Sequence, residues 1–287
     1  MGEVVWLGRY PVKSMLGEEP DSIEVEPDGV RGDRRYALVD EETGLVASAK
    51  HPRRWGALLT MSAAYRDGRL TVTLPDDGTV RAATGASAGA SAGGGDVDDR
   101  LSRALGRRVR LTDRRPEGAT LERLTPEGEP GAGTMTRGLV AAGTGGASFV
   151  DFGAVHLVTT ATLDALGGAH PRGSVDARRF RPNVVVRMLD GTPFAENGWP
   201  GRTLAIGDGA SLRVVVPTPR CVVPTLAQRP AGVDSDAVLA GDPEVLRAAA
   251  RLNRVPVPDL GVLTCVGAYA DVETPGRIRL GDLVRLH

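Results

Sequence analysis

A chain of 287 residues, 41% of them hydrophobic, can bury a sizeable core as one large domain or two closely packed ones, which excludes a disordered protein. Its formal net charge of −1 offers no global field for nucleic acid or an anionic membrane, so any anion site has to be a local cluster. No window approaches about 18 consecutive apolar residues, and the start Met1-Gly2-Glu3-Val4-Val5-Trp6 lacks a signal-peptide pattern, so no membrane span and a cytoplasmic setting are expected.

With aromatics at 4%, the core must come from Val, Leu, Ala and Ile, and 38 glycines and 20 prolines point to many turns and a mainly β architecture. Residues 4–12 read as a strand ending at Pro11, and 22–26 alternate as a half-buried strand before the turn Pro27-Asp28-Gly29. Residues 35–40 and 45–49 read as a strand pair, and 57–65 and 69–74 as a hairpin around Asp67-Gly68. The Ala/Gly/Ser/Thr run at 82–95 reads as a linker or surface loop, followed by a short helix from about Asp98 to Leu105. Residues 113–148 resist assignment and connect the halves.

The second half opens with a buried strand at 155–158 and a short helix from about Thr160 to Leu166. Strands are expected at 183–188 and 211–216, the latter broken by Pro217. A helix is expected at 243–253 with Asp242 as N-cap, then two short strands around Gly281-Asp282.

The chemistry-bearing features are few. Cys221 and Cys265 lie too far apart for a CxxC metal site and form no disulfide framework. Cys221 ends Pro217-Thr218-Pro219-Arg220-Cys221, a stiff segment with a cation that favours a thiolate, the species that ligates a soft metal or carries sulfur. Read by itself, it is a small buried hydrophobe, as most free cysteines are and as Cys265 is taken to be. Only two lysines, Lys13 and Lys50, stand against 33 arginines, so each is a compact point charge in a chain that otherwise uses the planar guanidinium fork. Lys13-Ser14, Arg31-Gly32-Asp33-Arg34-Arg35 and Arg178-Arg179-Phe180-Arg181-Pro182-Asn183 are cationic clusters at strand ends. They either converge on a phosphate-bearing ligand at one barrel mouth or are solvated charge. Gly85-Ala86-Ser87-Ala88-Gly89 and Gly143-Thr144-Gly145-Gly146 lack the context of a nucleophile elbow or phosphate loop. His51, His156, His170 and His287 form no ligand spacing and read as structural.

Five segments in order resemble the MOSC superfamily, named for the C-terminal domain of molybdenum cofactor sulfurases. They are Tyr10-Pro11-Val12-Lys13-Ser14 with the segment Gly32 to Asp40, Arg179-Phe180-Arg181-Pro182-Asn183, Phe194-Ala195-Glu196 with Trp199, Pro219-Arg220-Cys221, and Gly267-Ala268-Tyr269 with Pro275 to Asp282. The resemblance implies a β-barrel MOSC domain (114–287) packed with an N-terminal MOSC β-barrel domain (1–113), with few short helices. It implies a molybdenum cofactor (molybdopterin) between the halves, with Cys221 as molybdenum ligand or sulfur carrier. It implies that Lys13, Ser14, Arg34, Arg181 and Asn183 hold the pterin and its phosphate. Thr218 and Arg220 flank the ligand, Thr159, Thr160 and Thr162 supply donors, and Tyr269 lines the site. The implied activity is oxygen-atom transfer reducing N-hydroxylated or N-oxide-type small-molecule substrates, as in the amidoxime-reducing branch. The alternatives are a persulfide carrier acting through Cys221 and a non-catalytic molybdopterin carrier. No ferredoxin-like cysteine cluster and no pyridoxal-phosphate desulfurase domain is seen, so electrons are expected from a separate protein (ferredoxin, flavodoxin or reductase) and any sulfur from elsewhere.

Overall fold

The structure is a computed structural model that describes residues 1–76, 78–81, 94–141, 147–230 and 238–287. The glycine-rich runs at 85–89 and 143–146, and nearly all of the expected linker at 82–95, lie outside the described residues. The chain opens with β1 (Gly2–Leu7), β2 (Ser22–Glu26), β3 (Gly29–Val30) and β4 (Ala37–Asp40). Helix α1 (Pro52–Trp55) precedes the meander β5 (Ser62–Arg66), β6 (Arg69–Thr73) and β7 (Thr79–Arg81). Helix α2 (Gly94–Leu105), β8 (Val109–Thr112) and the hairpin β9 (Thr120–Leu124) and β10 (Met135–Leu139) follow. Then come β11 (Val155–Thr159), α3 (Thr160–Ala169), β12 (Val184–Met188), β13 (Thr203–Ile206) and β14 (Ala210–Pro219). Helix α4 (Glu244–Leu252), β15 (Arg254–Val257), β16 (Gly261–Thr274), β17 (Gly276–Arg279) and β18 (Leu283–Leu286) complete the chain.

The architecture is mainly β, with short helices, around a closed seven-stranded barrel. The strand order is β11-β12-β1-β18-β13-β14-β16, and pairing of β16 with β11 closes the ring. Alternation explains its filling: 155/157, 184/186, 204/206, 212/214 and 268/270 all face one apolar core. The opposite faces of β11, β12 and β16 present Val158, Val185 and Val266 to Leu166 of α3 and Val245 and Ala249 of α4. The N-terminal strand belongs to this barrel, pairing with β12 and β18. A bulge between Val4 and Trp6 turns both Val4 and Leu7 inward, three positions apart, while Val5 and Trp6 pack outside. Without it one of the two would face away, forfeiting roughly 1.5–3 kcal/mol of burial.

A second core lies under the sheets β4–β8 and β5–β6–β7, with Leu101 of α2 and Trp55 of α1 packed into it. Several elements differ from the sequence expectation. The strand β14 runs through Pro217 to Pro219. Its pairing with β13 ends at Arg213, so each proline lacks only an N–H that faces no neighbour there. Residues 45–49 make a single bridge, Val39 with Val46, because Val46 N–H donates instead to Thr120 O, and the chain then bends inward toward Lys50. Residues 56–60 are a 3-10 turn rather than a strand, and α2 begins at Gly94, ahead of Asp98. Within 113–148 the β9–β10 hairpin supplies the structure that composition hid.

Candidate functional site

The loop after β1 and the loop before β4 are stitched together by backbone bonds. Lys13 N–H donates to Tyr36 O (2.8 Å), Arg34 N–H to Tyr10 O (2.7 Å) and Tyr36 N–H to Pro11 O (3.0 Å). This ladder carries Lys13, Ser14 and Arg34 to one cavity. There they meet Arg179, Arg181 and Asn183 before β12, Arg220 and Cys221 after β14, and Tyr269 of β16. Ser14, Arg34 and Arg181 adopt left-handed backbone with φ of 66°, 44° and 56°. Such geometry costs of order 1–3 kcal/mol per residue. Three of seven described non-glycine residues with positive φ thus line one cavity, a distribution that points to function rather than chance.

The cavity encloses about 60 Å³, room for several waters and hence for a phosphate-sized group. Six cations line it (Lys13, Lys50, Arg34, Arg179, Arg181 and Arg220), against the single carboxylate of Asp151 among the described lining residues. Lys13 Nζ donates to Asp151 Oδ1 (2.7 Å) and Phe149 O (2.8 Å), and Lys50 Nζ pairs with the same Oδ1 at 2.9 Å. Burial lowers the Lys13 pKa to about 8, against the pull of Asp151. Burial pushes the Asp151 carboxyl up, but the charges and hydrogen bonds of Lys13 and Lys50 hold it well below the usual carboxylate range.

Arg34 and Arg181 both cap the Tyr10 ring, at 4.5 and 4.3 Å from its centroid. Arg34 is fixed by Asp33 Oδ2 and by Arg181 O, the latter at 3.1 Å. Burial, then Arg34, lowers the Arg181 pKa to about 10. Arg181 Nη2 and Arg220 Nε are buried with no partner among the described residues. Uncommitted N–H groups in a cavity of excess positive charge are the signature of an anion site, since unpaired buried donors are costly. Burial and Arg220 push the His156 imidazole well down, so the ring is neutral in the cavity wall. Burial raises the Tyr269 phenol, whose ring lies against Phe152 and His156.

Cys221 sits just beyond β14 as a free, half-buried thiol in this cavity. Arg220 N–H donates to Thr264 O (2.9 Å), tying the cysteine's segment to β16. Asn183 spends its amide on the walls: Oδ1 accepts from His156 N–H (3.1 Å), and Nδ2 donates to Gly8 O (3.2 Å).

Lys13, Ser14, Arg34, Arg181, Asn183, Arg220, Cys221 and Tyr269 therefore meet in one cavity. Thr159, Thr160, Thr162 and Thr218 do not line it. Thr218 is buried, and its hydroxyl has no partner among the described residues. Thr159 and Thr162 instead serve buried Glu196. Its carboxylate accepts from Thr159 N–H (3.3 Å), Thr159 Oγ1 (3.1 Å) and Thr162 Oγ1 (2.9 Å). Of the basic clusters, Arg31, Arg35 and Arg178 turn to Glu24 and Glu26, Asp113, and Asp176. Sequence reasoning missed Ser48, Asp151 and His156 as lining residues, and it reached Lys50 and Arg179 only through the rarity of lysine and the arginine cluster.

Two pH effects follow. Sulfate keeps its charge through the alkaline range, so its affinity should fall roughly tenfold between pH 7 and 9 as Lys13 loses its proton near pH 8. Calorimetric titration of wild type and Lys13→Met would check this, and equal pH slopes would refute it. Burial raises the Glu196 pKa in the fold against its threonine donors. The folded state therefore holds that proton more tightly than the unfolded chain. Its stabilising effect is full below the unfolded value of about 4.3 and is lost as pH rises through the higher folded value. The stability of wild type relative to Glu196→Gln should decline across that window. Parallel urea-denaturation curves between pH 4 and 7 would contradict this.

A closed barrel thus carries a cavity lined by a free thiol, six cations and one carboxylate among the described residues. The chain belongs to the MOSC superfamily: the MOSC domain profile matches residues 144–285, and that of the MOSC N-terminal beta barrel domain matches residues 1–99. It is 26% identical over 302 residues to mitochondrial amidoxime-reducing component 1 of Mus musculus, covering all of this chain and 82% of that protein. Among solved structures, the YUAD protein from Bacillus subtilis superposes with a TM-score of 0.45 at 12% identity, covering 100% of this chain and 95% of that one. YiiM from Geobacillus stearothermophilus superposes with a TM-score of 0.28 at 16% identity, over 47% of this chain and 54% of that one. Among the described residues no helix is long and apolar enough to cross a membrane.

Proposed function

We propose that this protein binds a molybdenum–pterin cofactor in this cavity. On this reading it is an oxidoreductase that reduces N-hydroxylated or N-oxide-type small molecules. The observation that carries the reading is one cavity combining a free, half-buried thiol with six cations and one carboxylate. The donor set fits the group. Lys13, Arg34 and Arg181 would neutralise the cofactor's phosphate, and the uncommitted Arg181 Nη2 supports that role. Cys221 would offer the soft thiolate that molybdenum accepts. Among the described residues no cluster of three or more His, Cys, Asp or Glu side chains is placed to hold a metal, so a metal at Cys221 would bring its other ligands with it.

When bound, the cofactor would supply two-electron oxygen-atom-transfer chemistry. The chain's own residues would position and insulate it. Tyr10 braces both arginines, Tyr269 lines the cavity with Phe152 packed against its ring, and His156 stays neutral beside Arg220. Electrons would come from a separate cytoplasmic ferredoxin, flavodoxin or reductase. The amidoxime-reducing relative supports the substrate class.

Metal and pterin analysis of protein from a molybdopterin-making host, followed by benzamidoxime reduction with an added reductase, tests the reading. Near-stoichiometric molybdenum with turnover is expected. Absence of both metal and pterin would overturn it and leave the sulfur-carrier alternative, read by an added sulfur mass on Cys221 after incubation with a desulfurase.

A further inference from the structure

The two lysines of this chain lie 37 positions apart, on different loops, yet both ammonium groups reach one carboxylate oxygen. The three partners are not equally confined. The Lys13 and Lys50 side chains keep 5% and 10% of their surface, whereas that of Asp151 keeps 37%. Lys13 is pinned further by Phe149 O at 2.8 Å. The carboxylate is therefore the partner free to turn away, into the open cleft. Beside it, Ser14 Oγ accepts from Ala49 N–H (3.0 Å) and Ser48 Oγ from Lys50 N–H (3.3 Å), so both hydroxyl hydrogens are left to donate.

We propose that Asp151 is a resident counter-ion that sets the charge a ligand must carry: Lys13 and Lys50 release it to a dianion such as a phosphate monoester and not to a monoanion, and Lys50 then helps to hold the dianion. This rests on the reading that the cavity's cations take a phosphate-bearing ligand, but not on any metal. A monoanion exchanges one negative charge for another at the two ammonium groups and gains little. A phosphate monoester carries −1.5 to −2 at neutral pH and outcompetes the carboxylate. Specificity then comes from an internal competitor rather than from added contacts to the ligand. Asp151 is the one acidic group among the described lining residues, so no other carboxylate there offers that competition.

The test is calorimetric titration of metal-free protein at pH 7 with methyl phosphate, a dianion, and dimethyl phosphate, its monoanionic diester. Wild type should bind methyl phosphate saturably and dimethyl phosphate at least tenfold more weakly. Asp151→Asn should bind both more tightly, dimethyl phosphate by at least tenfold, so that the discrimination shrinks. Lys50→Met leaves Asp151 paired with Lys13 and should weaken methyl phosphate roughly tenfold. Weaker methyl phosphate binding by Asp151→Asn would mean that the carboxylate merely holds the lysines in place, and would overturn the proposal. So would an unchanged preference in that variant, wild-type-like binding by Lys50→Met, or no discrimination in wild type. If Asp151→Asn does not fold without phosphate, the wild-type preference and the Lys50 variant still decide. The titration contains no molybdenum, so its outcome is separable from that of the metal and pterin analysis.

Discussion

Cys221→Ser purified from a molybdopterin-making host is expected to keep its fold and carry less than about a tenth of the wild-type molybdenum. The fold should survive because Cys221 is a half-buried residue just past β14, no described hydrogen bond depends on its sulfur, and serine differs by one atom. The metal should not survive because a neutral hydroxyl cannot replace a soft thiolate at molybdenum. A tenfold loss corresponds to about 1.4 kcal/mol, a modest demand for removal of a metal–ligand bond. Pterin should fall less than molybdenum, since Lys13, Arg34 and Arg181 remain to hold the phosphate. Metal analysis paired with pterin fluorescence separates the two losses. Molybdenum at the wild-type level in the serine variant would remove Cys221 from the metal-ligand role.

The largest stability effect is expected at a residue with no side chain. Gly267 lies in β16 where that strand meets β11, next to the pair Leu157 and Ala268 that closes the barrel. Its φ is +76°, and a Cβ there would stand 2.3 Å from Leu157 O and 2.7 Å from His156 Nε2. The first neighbour is backbone, so relief requires β16 and β11 to part. Gly267→Ala should destabilise the protein by roughly 3 kcal/mol or more, from a left-handed backbone combined with a steric clash. Urea denaturation should show a lower midpoint with an unchanged slope. The same change would shift His156, so sulfate affinity should also drop. Stability within about 0.5 kcal/mol of wild type would show that the barrel closes without this contact.

Two strands show how far local pattern reaches: Ser22 to Glu26 appears where alternation placed it, and the barrel strand Val184 to Met188 where a β-branched run placed it. The loops carrying Lys13, Arg34, Arg181 and Cys221 were legible because several rare features coincide there: a stiff proline segment, a scarce lysine and clustered arginines. Those features depend only on near neighbours in sequence. Thr159 and Thr162 show the limit. Their hydroxyls suited a cofactor, but the structure commits them to Glu196, a partner 34 to 37 positions away that no local pattern announces.

By itself, then, the sequence determined where strands such as Ser22 to Glu26 and Val184 to Met188 run and which loops carry the thiol and the cations, but not the β9–β10 hairpin or the 3-10 turn at 56–60. Only the tertiary structure decided that the first strand completes a barrel made otherwise from the second half of the chain. It alone brought both lysines to Asp151, which lies 138 positions from Lys13, and made that carboxylate the sole described acid of the cavity. The physical reason is that alternation reports the side of a strand that loses water, not the strand that lies beside it. An ionic partner is chosen by the closure of the barrel, after every local preference has been met.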